Sequence, residues 1–117
     1  MIGELRSVVL DCPDPRALAS FYEELLGMTR LIDRDDWVAL QKPEGGPRVA
    51  FQRIDDYNPP QWPGQLVPQQ LHLDVRVADL DAAEQQVLAI GATDAGYREE
   101  DFRVYLDPAG HPFCLVE

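Results

Sequence analysis

The stretches DWVALQKPEGGPRVAFQ, residues 36–52, and DFRVYLDPAGHPFCLVE, residues 101–117, are two versions of one pattern. A constant offset of 65 positions, which puts Asp36 on Asp101, aligns them without a gap. The matches include prolines and glycines, where backbone geometry restricts the choice of residue. The sequence therefore predicts an internal repeat, in which each copy is one structural module.

Each copy opens with a strand that is followed by a helix. The first strands are LRSVVLDC, residues 5–12, and QLHLDVRV, residues 70–77, and the second alternates apolar and polar residues as a strand does. Asp14 and Asp79 stand where an N-cap is expected, and a glycine ends each apolar helical stripe. Three shorter strands are predicted to complete each copy, at 28–33, 36–42 and 48–54, and at 94–98, 102–106 and 112–117.

This order predicts an α+β fold with two β-α-β-β-β modules that form a curved, partly closed mixed sheet around a cleft. Module 1 is expected at about 5–54 and module 2 at about 70–117. The linker between them, residues 55–69, contains four prolines, which exclude regular structure. Because each module is too small to be stable alone, we expect one domain over residues 1–117.

The composition excludes several classes of partner. The chain has 10 Lys and Arg against 21 Asp and Glu, and a net charge of -11 repels nucleic acid. No apolar run is long enough to span a membrane, and the N-terminus has no signal-peptide pattern, so a cytoplasmic protein is expected. In such a protein Cys12 and Cys114 are expected to be free thiols.

Three segments of the second half carry a family resemblance. They read HLDV at 72–75, DLDAAE at 79–84 and DPAGHPFCLV at 107–116. With the two-module pattern, they resemble the small glyoxalase-like proteins of the vicinal oxygen chelate superfamily, which contains glyoxalase I, extradiol dioxygenases and bleomycin-resistance proteins. The resemblance covers nearly the whole chain and implies the fold, but not the reaction, because the superfamily hosts many reactions.

The resemblance also implies where a metal would bind. Catalytic members hold a divalent metal with side chains from the first and last strand of each module. The repeat offset assigns these positions to His72 and Cys114 in module 2 and to Ser7 and Val49 in module 1. A histidine and a thiol alone make a poor divalent site, so no cofactor is expected. The alternative is a divalent metal at His72 with relocated ligands, taken from Asp11, Asp74 and Glu117.

Strand alternation predicts the lining of a ligand cleft, if the helices cover the opposite face of the sheet. The expected lining mixes apolar and polar side chains, as small-ligand sites do. It consists of Ser7, Val9, Asp11, Val49, Phe51, Arg53, His72, Asp74, Arg76 and Cys114, with Trp62 of the linker as a lid or interface residue. For His72 the alternative is a histidine that is hydrogen-bonded to its neighbours, and for Cys114 the alternatives are an inert thiol and a nucleophile.

The incomplete ligand set and the expected cleft together predict a small-molecule-binding protein of the sequestering or sensing kind. Two other classes stay open, namely a metal-dependent lyase, isomerase or dioxygenase with relocated ligands, and a non-catalytic interaction domain. A homodimer is also expected, because superfamily members of this size commonly pair. The linker 55–69 adds a physical reason, since Trp62 and Leu66 make it more apolar than a plain surface linker.

Overall fold

Each half of the chain folds as a strand, a helix and three further strands. A computed structural model describes all residues, 1–117, and divides them into the units Met1–Tyr57 and Asn58–Glu117. The predicted α+β class and the repeated β-α-β-β-β order are therefore confirmed. The strands form two four-stranded mixed sheets, one in each unit, and neither sheet is closed into a barrel. Neither of the two helices is long and apolar enough to cross a membrane.

The first unit is built around one helix on a four-stranded sheet. Its elements are β1 (Ser7–Cys12), α1 (Pro15–Leu26), β2 (Thr29–Asp33), β3 (Trp37–Lys42) and β4 (Gly45–Arg53). The strand order is β1-β4-β3-β2, in which β1 runs parallel to β4 and the other pairs are antiparallel. The last strand starts three residues earlier than predicted, because the tight turn before it lets Gly45 pair with Lys42.

Helix α1 begins and ends where the sequence predicts. The Asp14 side chain accepts a hydrogen bond from the Ala17 N–H at 3.2 Å, and Gly27 ends the helix in the left-handed conformation with φ 63°. The apolar face of the helix is buried on the sheet, where the Tyr22 ring lies 5.4 Å from the Phe51 ring. This contact identifies the face of β4 that carries Phe51 as the core face of the unit.

The second unit repeats this arrangement with shorter elements. They are β5 (Leu73–Arg76), α2 (Leu80–Ala89), β6 (Thr93–Arg98), β7 (Phe102–Leu106) and β8 (Pro112–Val116). The strand order is β5-β8-β7-β6, again with the first and last strands of the unit parallel. The Asp79 side chain accepts from the Ala82 N–H at 3.1 Å and so caps α2 as predicted.

A polar network ties α2 to one face of β7. Arg103 donates to Glu84 at 2.6 Å and to Asp81 at 2.7 Å, and the buried Tyr105 hydroxyl donates to Glu84 at 2.7 Å. The Tyr105 hydrogen bond and the arginine lower the pKa of Glu84, while burial and Glu84 raise the pKa of Tyr105 to about 12. Because alternate residues of a strand point to opposite faces, Phe102 and Val104 lie on the face away from α2.

The DPAGHP segment forms the turn between β7 and β8. The buried Asp107 carboxylate accepts from the backbone N–H groups of Ala109 at 2.9 Å and His111 at 3.0 Å, and it lies 2.8 Å from the His111 ring. Gly110 has φ +91°, and a Cβ atom added there would lie 3.0 Å from Pro59. His111 is therefore a turn residue, and the turn lies against the linker.

The proline-rich linker contains only one isolated bridge, between Gln61 and Pro68, which agrees with its predicted lack of regular structure. The unit boundary falls after Tyr57, so most of the linker belongs to the second unit. The Trp62–Pro63 peptide bond is cis. The linker is thus part of the module that follows it.

The gapless repeat offset fails in the last strand of the first unit. Trp37 pairs with Gln52, whereas its repeat partner Phe102 pairs with Val116, so the offset there is 64. The two hairpins differ in their turns, since the β3–β4 ladder shifts register before its end and the β7–β8 ladder does not. The structural equivalent of Cys114 is therefore Ala50, and not Val49.

Candidate functional site

A cavity of about 300 Å³ lies in the second unit, on the face of the sheet that points away from α2. It is formed by the first and last strands of the unit, the beginning of β7 and the linker. We call it the Trp62 pocket, and its lining residues are Trp62, His72, Asp74, Asp101, Phe102, Cys114, Val116 and Glu117.

Three side chains in the Trp62 pocket bring ligating atoms together. Asp74 pairs with Cys114 across the parallel strands β5 and β8, and His72 precedes β5 by one residue. One ligand atom from each of the three residues lies within 4.8 Å of the others, and His72 Nε2 is 3.3 Å from Asp74 Oδ1. Parallel pairing thus places the donors of two strands on one face.

The Cys114 thiol is buried and lies beside a carboxylate. Burial, with a smaller contribution from the negative charge of Asp74, raises the pKa of Cys114 to about 11. The thiol is therefore protonated at neutral pH. Because the thiolate is the reactive form, this environment favours the inert interpretation of Cys114 over the nucleophile.

The same three residues define which metal ion the pocket fits. One imidazole, one carboxylate and one thiol are ligands that zinc accepts, and two ligands about 2.0 Å from a tetrahedral ion lie roughly 3.3 Å apart. This is the distance between His72 Nε2 and Asp74 Oδ1. Magnesium and calcium prefer oxygen ligands, so the set fits a borderline ion and does not fit a hard one. Binding to Cys114 would require loss of the thiol proton.

Trp62, His72 and Phe102 are the aromatic residues that line the pocket, and the Tyr97 ring lies beside them outside the lining. The Trp62 ring stacks on the His72 ring, with centroids 4.8 Å apart and an interplanar angle of 13°. Tyr97 lies 6.2 Å from Trp62 and 6.0 Å from Phe102, so the four rings form a continuous row. Trp62 therefore packs on its own chain, and its role as a lid or interface residue stays a prediction. Tyr97, which supports the lining rings from outside the pocket, was not predicted, because it lies in a polar, exposed strand without an apolar pattern.

Four of the predicted cleft residues lie in this pocket, namely Trp62, His72, Asp74 and Cys114. Arg76 follows Asp74 by two positions and shares its strand face, but it is exposed and does not line the pocket. Of the carboxylates considered as relocated ligands, Asp74 joins the donor cluster and Glu117 lines the same cavity. These placements leave ligand binding itself a prediction.

The predicted strand face is wrong for part of the first unit. Val49, Phe51 and Arg53 pair with Val8, Leu10 and Cys12, and they share the face that carries the Phe51–Tyr22 contact. The reason is the one-residue change in the repeat offset, since a shift of one residue moves every side chain to the other face. Val49 and Phe51 are accordingly buried core residues.

The remaining first-unit residues lie on the other face of β1, as alternation predicted. They are Ser7, Val9 and Asp11, and they pair with Arg48, Ala50 and Gln52. Val9 is 41% exposed. A cavity of about 510 Å³ lies around Arg6 and Arg48, which the strand pattern did not single out.

The model of the Glyoxalase-like domain family matches residues 7–116. The chain therefore belongs to this family, and the predicted relationship to the vicinal oxygen chelate superfamily is confirmed. No curated protein sequence matches the chain.

Solved structures support the same fold. A possible glyoxalase from Bacillus cereus is similar with a TM-score of 0.71 at 13% identity, covering 100% of both chains. The fosfomycin resistance protein FosX from Mesorhizobium loti is similar with a TM-score of 0.72 at 14% identity, covering 99% of this chain and 92% of the other. A bleomycin-binding protein from Streptomyces verticillus, complexed with copper(II)-bleomycin, is similar with a TM-score of 0.59 at 20% identity. The match covers 99% of this chain and 98% of the other.

Proposed function

We propose that this protein binds a small molecule in the Trp62 pocket and acts by sequestering or sensing it, without a bound metal. The stacking of Trp62 on His72 carries the proposal. It brings an aromatic side chain of the linker onto the pocket, beside the polar groups Asp74 and Cys114. An apolar wall with a few polar groups is the usual make-up of a small-ligand site.

The chemistry of the pocket does not favour catalysis by a thiol nucleophile. Burial and Asp74 raise the pKa of Cys114 to about 11, which lowers the thiolate fraction further below that of an ordinary thiol. In the first module the position equivalent to Cys114 is occupied by Ala50, whose methyl group cannot coordinate a metal. Two similar structures are a bleomycin-binding protein and a fosfomycin resistance protein, so this fold hosts at least one protein that binds a small molecule.

A ligand screen by thermal shift tests the proposal. A library that includes cationic, neutral and anionic compounds is measured on the native protein and on Trp62→Ser and Trp37→Phe. A ligand present at 100 times its Kd stabilises the folded state by about 2.7 kcal/mol, which raises the Tm measurably. We expect compounds whose effect is lost in Trp62→Ser and kept in Trp37→Phe, since Trp37 does not line the pocket. A library in which no compound depends on Trp62 contradicts the proposal.

A metal-dependent enzyme is the second candidate, because His72, Asp74 and Cys114 place three donor atoms within 4.8 Å. Protein purified without chelators is analysed for metals and titrated with zinc, with Cys114→Ser and Cys12→Ser as matched variants. We expect less than one metal ion per ten chains. Stoichiometric tight zinc that is lost in Cys114→Ser, but kept in Cys12→Ser, would replace the first candidate with the second.

A further inference from the structure

We infer that the ligand of the Trp62 pocket is a small, flat molecule that carries a positive charge, such as an aromatic amine or amidine. The inference rests on the proposed function, since it names the class of ligand for the same cavity. It is carried by the aromatic row and by the distribution of charge around the pocket.

The aromatic row selects the shape of the ligand. Trp62, Tyr97 and Phe102 follow one another at centroid distances of 6.2 and 6.0 Å, and Trp62 is stacked on His72. Flat rings gain most from a flat partner, in an offset stack or an edge-to-face contact. The volume of about 300 Å³ is at the lower end of the range for ligand pockets, so it suits one small ring system.

The charge of the lining selects the sign of the ligand. Asp74, Asp101 and Glu117 line the pocket, and no lysine or arginine does. His72 Nε2 lies 3.3 Å from Asp74, which is one of these three carboxylates. The whole chain, with a net charge of -11, adds a field of the same sign. An anionic ligand is therefore repelled, whereas a cation is attracted.

The neighbouring arginines do not compensate this charge. Arg103 is held by Asp81 and Glu84 on the α2 side of the sheet, and Arg98 forms ion pairs with Glu84 and Asp94. Arg76 is exposed and lies outside the lining. A cationic ligand thus meets carboxylates that have no competing arginine in the pocket. It gains in addition from cation–π contact with the two lining residues Trp62 and Phe102.

Three probes with the same ring test the inference, namely naphthylmethylammonium, naphthylmethanol and naphthoate. Binding is followed by the NMR signal of the Trp62 indole N–H, assigned with Trp37→Phe, at low salt. We expect the cation to bind at least about tenfold more tightly than the alcohol, and naphthoate not to bind. Raising the salt concentration should weaken the binding of the cation but not that of the alcohol, because salt screens the charge of the cation.

Matched carboxylate variants show whether the pocket causes the preference. Glu117→Gln and Asp101→Asn should each weaken binding of the cation about threefold to fivefold, the range expected of an exposed ion pair. Glu100→Gln removes the same charge beside the pocket without lining it, and should have less than half of that effect.

The inference and the proposed function fail differently. Equal binding of the cation and the alcohol, or tighter binding of naphthoate, overturns the cationic ligand but leaves the Trp62 pocket as a binding site. An equal loss in Glu100→Gln also overturns it, since the whole chain would then cause the preference. If none of the probes binds while library compounds still depend on Trp62, the ligand class is wrong and the proposed function stands. If the library also gives no such compound, both are wrong.

Discussion

The reactivity of Cys114 follows from its position and is the prediction that separates a binding pocket from a nucleophilic site. The perturbation is alkylation by iodoacetamide in a Cys12→Ser background, in which Cys114 is the only cysteine. Its pKa is raised from 9.0 to about 11 by burial and by Asp74. Two pKa units reduce the thiolate about a hundredfold at pH 8, and the greater nucleophilicity of the more basic thiolate recovers a little under tenfold. We expect alkylation at least about tenfold slower than for a thiol with a pKa of 9.0, since burial restricts access further.

The assay is mass spectrometry of the alkylated fraction over a pH series that stays within the folded range. The rate should still rise at pH 10, where a thiol of pKa 9.0 has already levelled off. Asp74→Asn removes a neighbouring negative charge, so it should move the profile to lower pH, whereas Asp101→Asn should leave it in place. A profile that has levelled off by pH 10 would refute the reasoning. An Asp74→Asn variant whose pH profile is identical to that of the protein with Asp74 would also refute it.

Four further predictions follow from other parts of the molecule. His72→Ala removes a partly exposed ring that is stacked on Trp62, so thermal melts should show that the free energy of unfolding falls by about 1–2 kcal/mol. Library ligands should also bind more weakly. A larger loss of stability with unchanged affinity would make His72 a purely structural residue. Phe51→Ala should cost about 3–5 kcal/mol in urea denaturation, because the side chain is in the core of its unit, and a cost below 1 kcal/mol would support the original cleft assignment. The pKa of Glu84 is lowered in the folded state, so the Glu84 carboxylate stabilises the protein above its unfolded pKa near 4.5. This stabilisation is lost as the pH falls through the folded pKa. Between pH 5 and 3 the melting temperature of Glu84→Gln should therefore fall less than that of the native protein. The homodimer stays a prediction, which sedimentation at micromolar concentration tests on the native protein and on Trp62→Ser: a native monomer ends it, and a dimer unaffected by the substitution removes the linker from its interface.

The sequence predicted the elements well because their signals are local. Asp14, Gly27 and Asp79 act through backbone contacts within a few residues, and each does what its position indicates. The pairing of β1 with β4 depends on a ladder between distant segments and on how the β3–β4 hairpin turns. A repeat alignment on letters does not contain that information, and an error of one residue reversed the face assigned to Phe51.

Two kinds of sequence signal predicted part of the candidate site, namely a strand face with polar residues and an aromatic residue in the linker. Alternation placed His72 and Asp74 together, and parallel pairing added Cys114. Tyr97 joins the same row through ring contacts between separate strands and the linker, which no periodicity describes. Trp62 was singled out because an aromatic residue in a proline-rich segment has no packing pattern to explain it.

The β7–β8 turn restricts the position of the linker, because Gly110 lies close to Pro59. With φ +91° and only 3.0 Å between an added Cβ and Pro59, any larger residue at position 110 must displace the linker or distort the turn. Trp62 lies three residues beyond Pro59 in the same linker, so we expect such a displacement to alter the stacking of Trp62 on His72. The hairpin tip, which contributes no residue to the lining of the pocket, would then influence the position of Trp62.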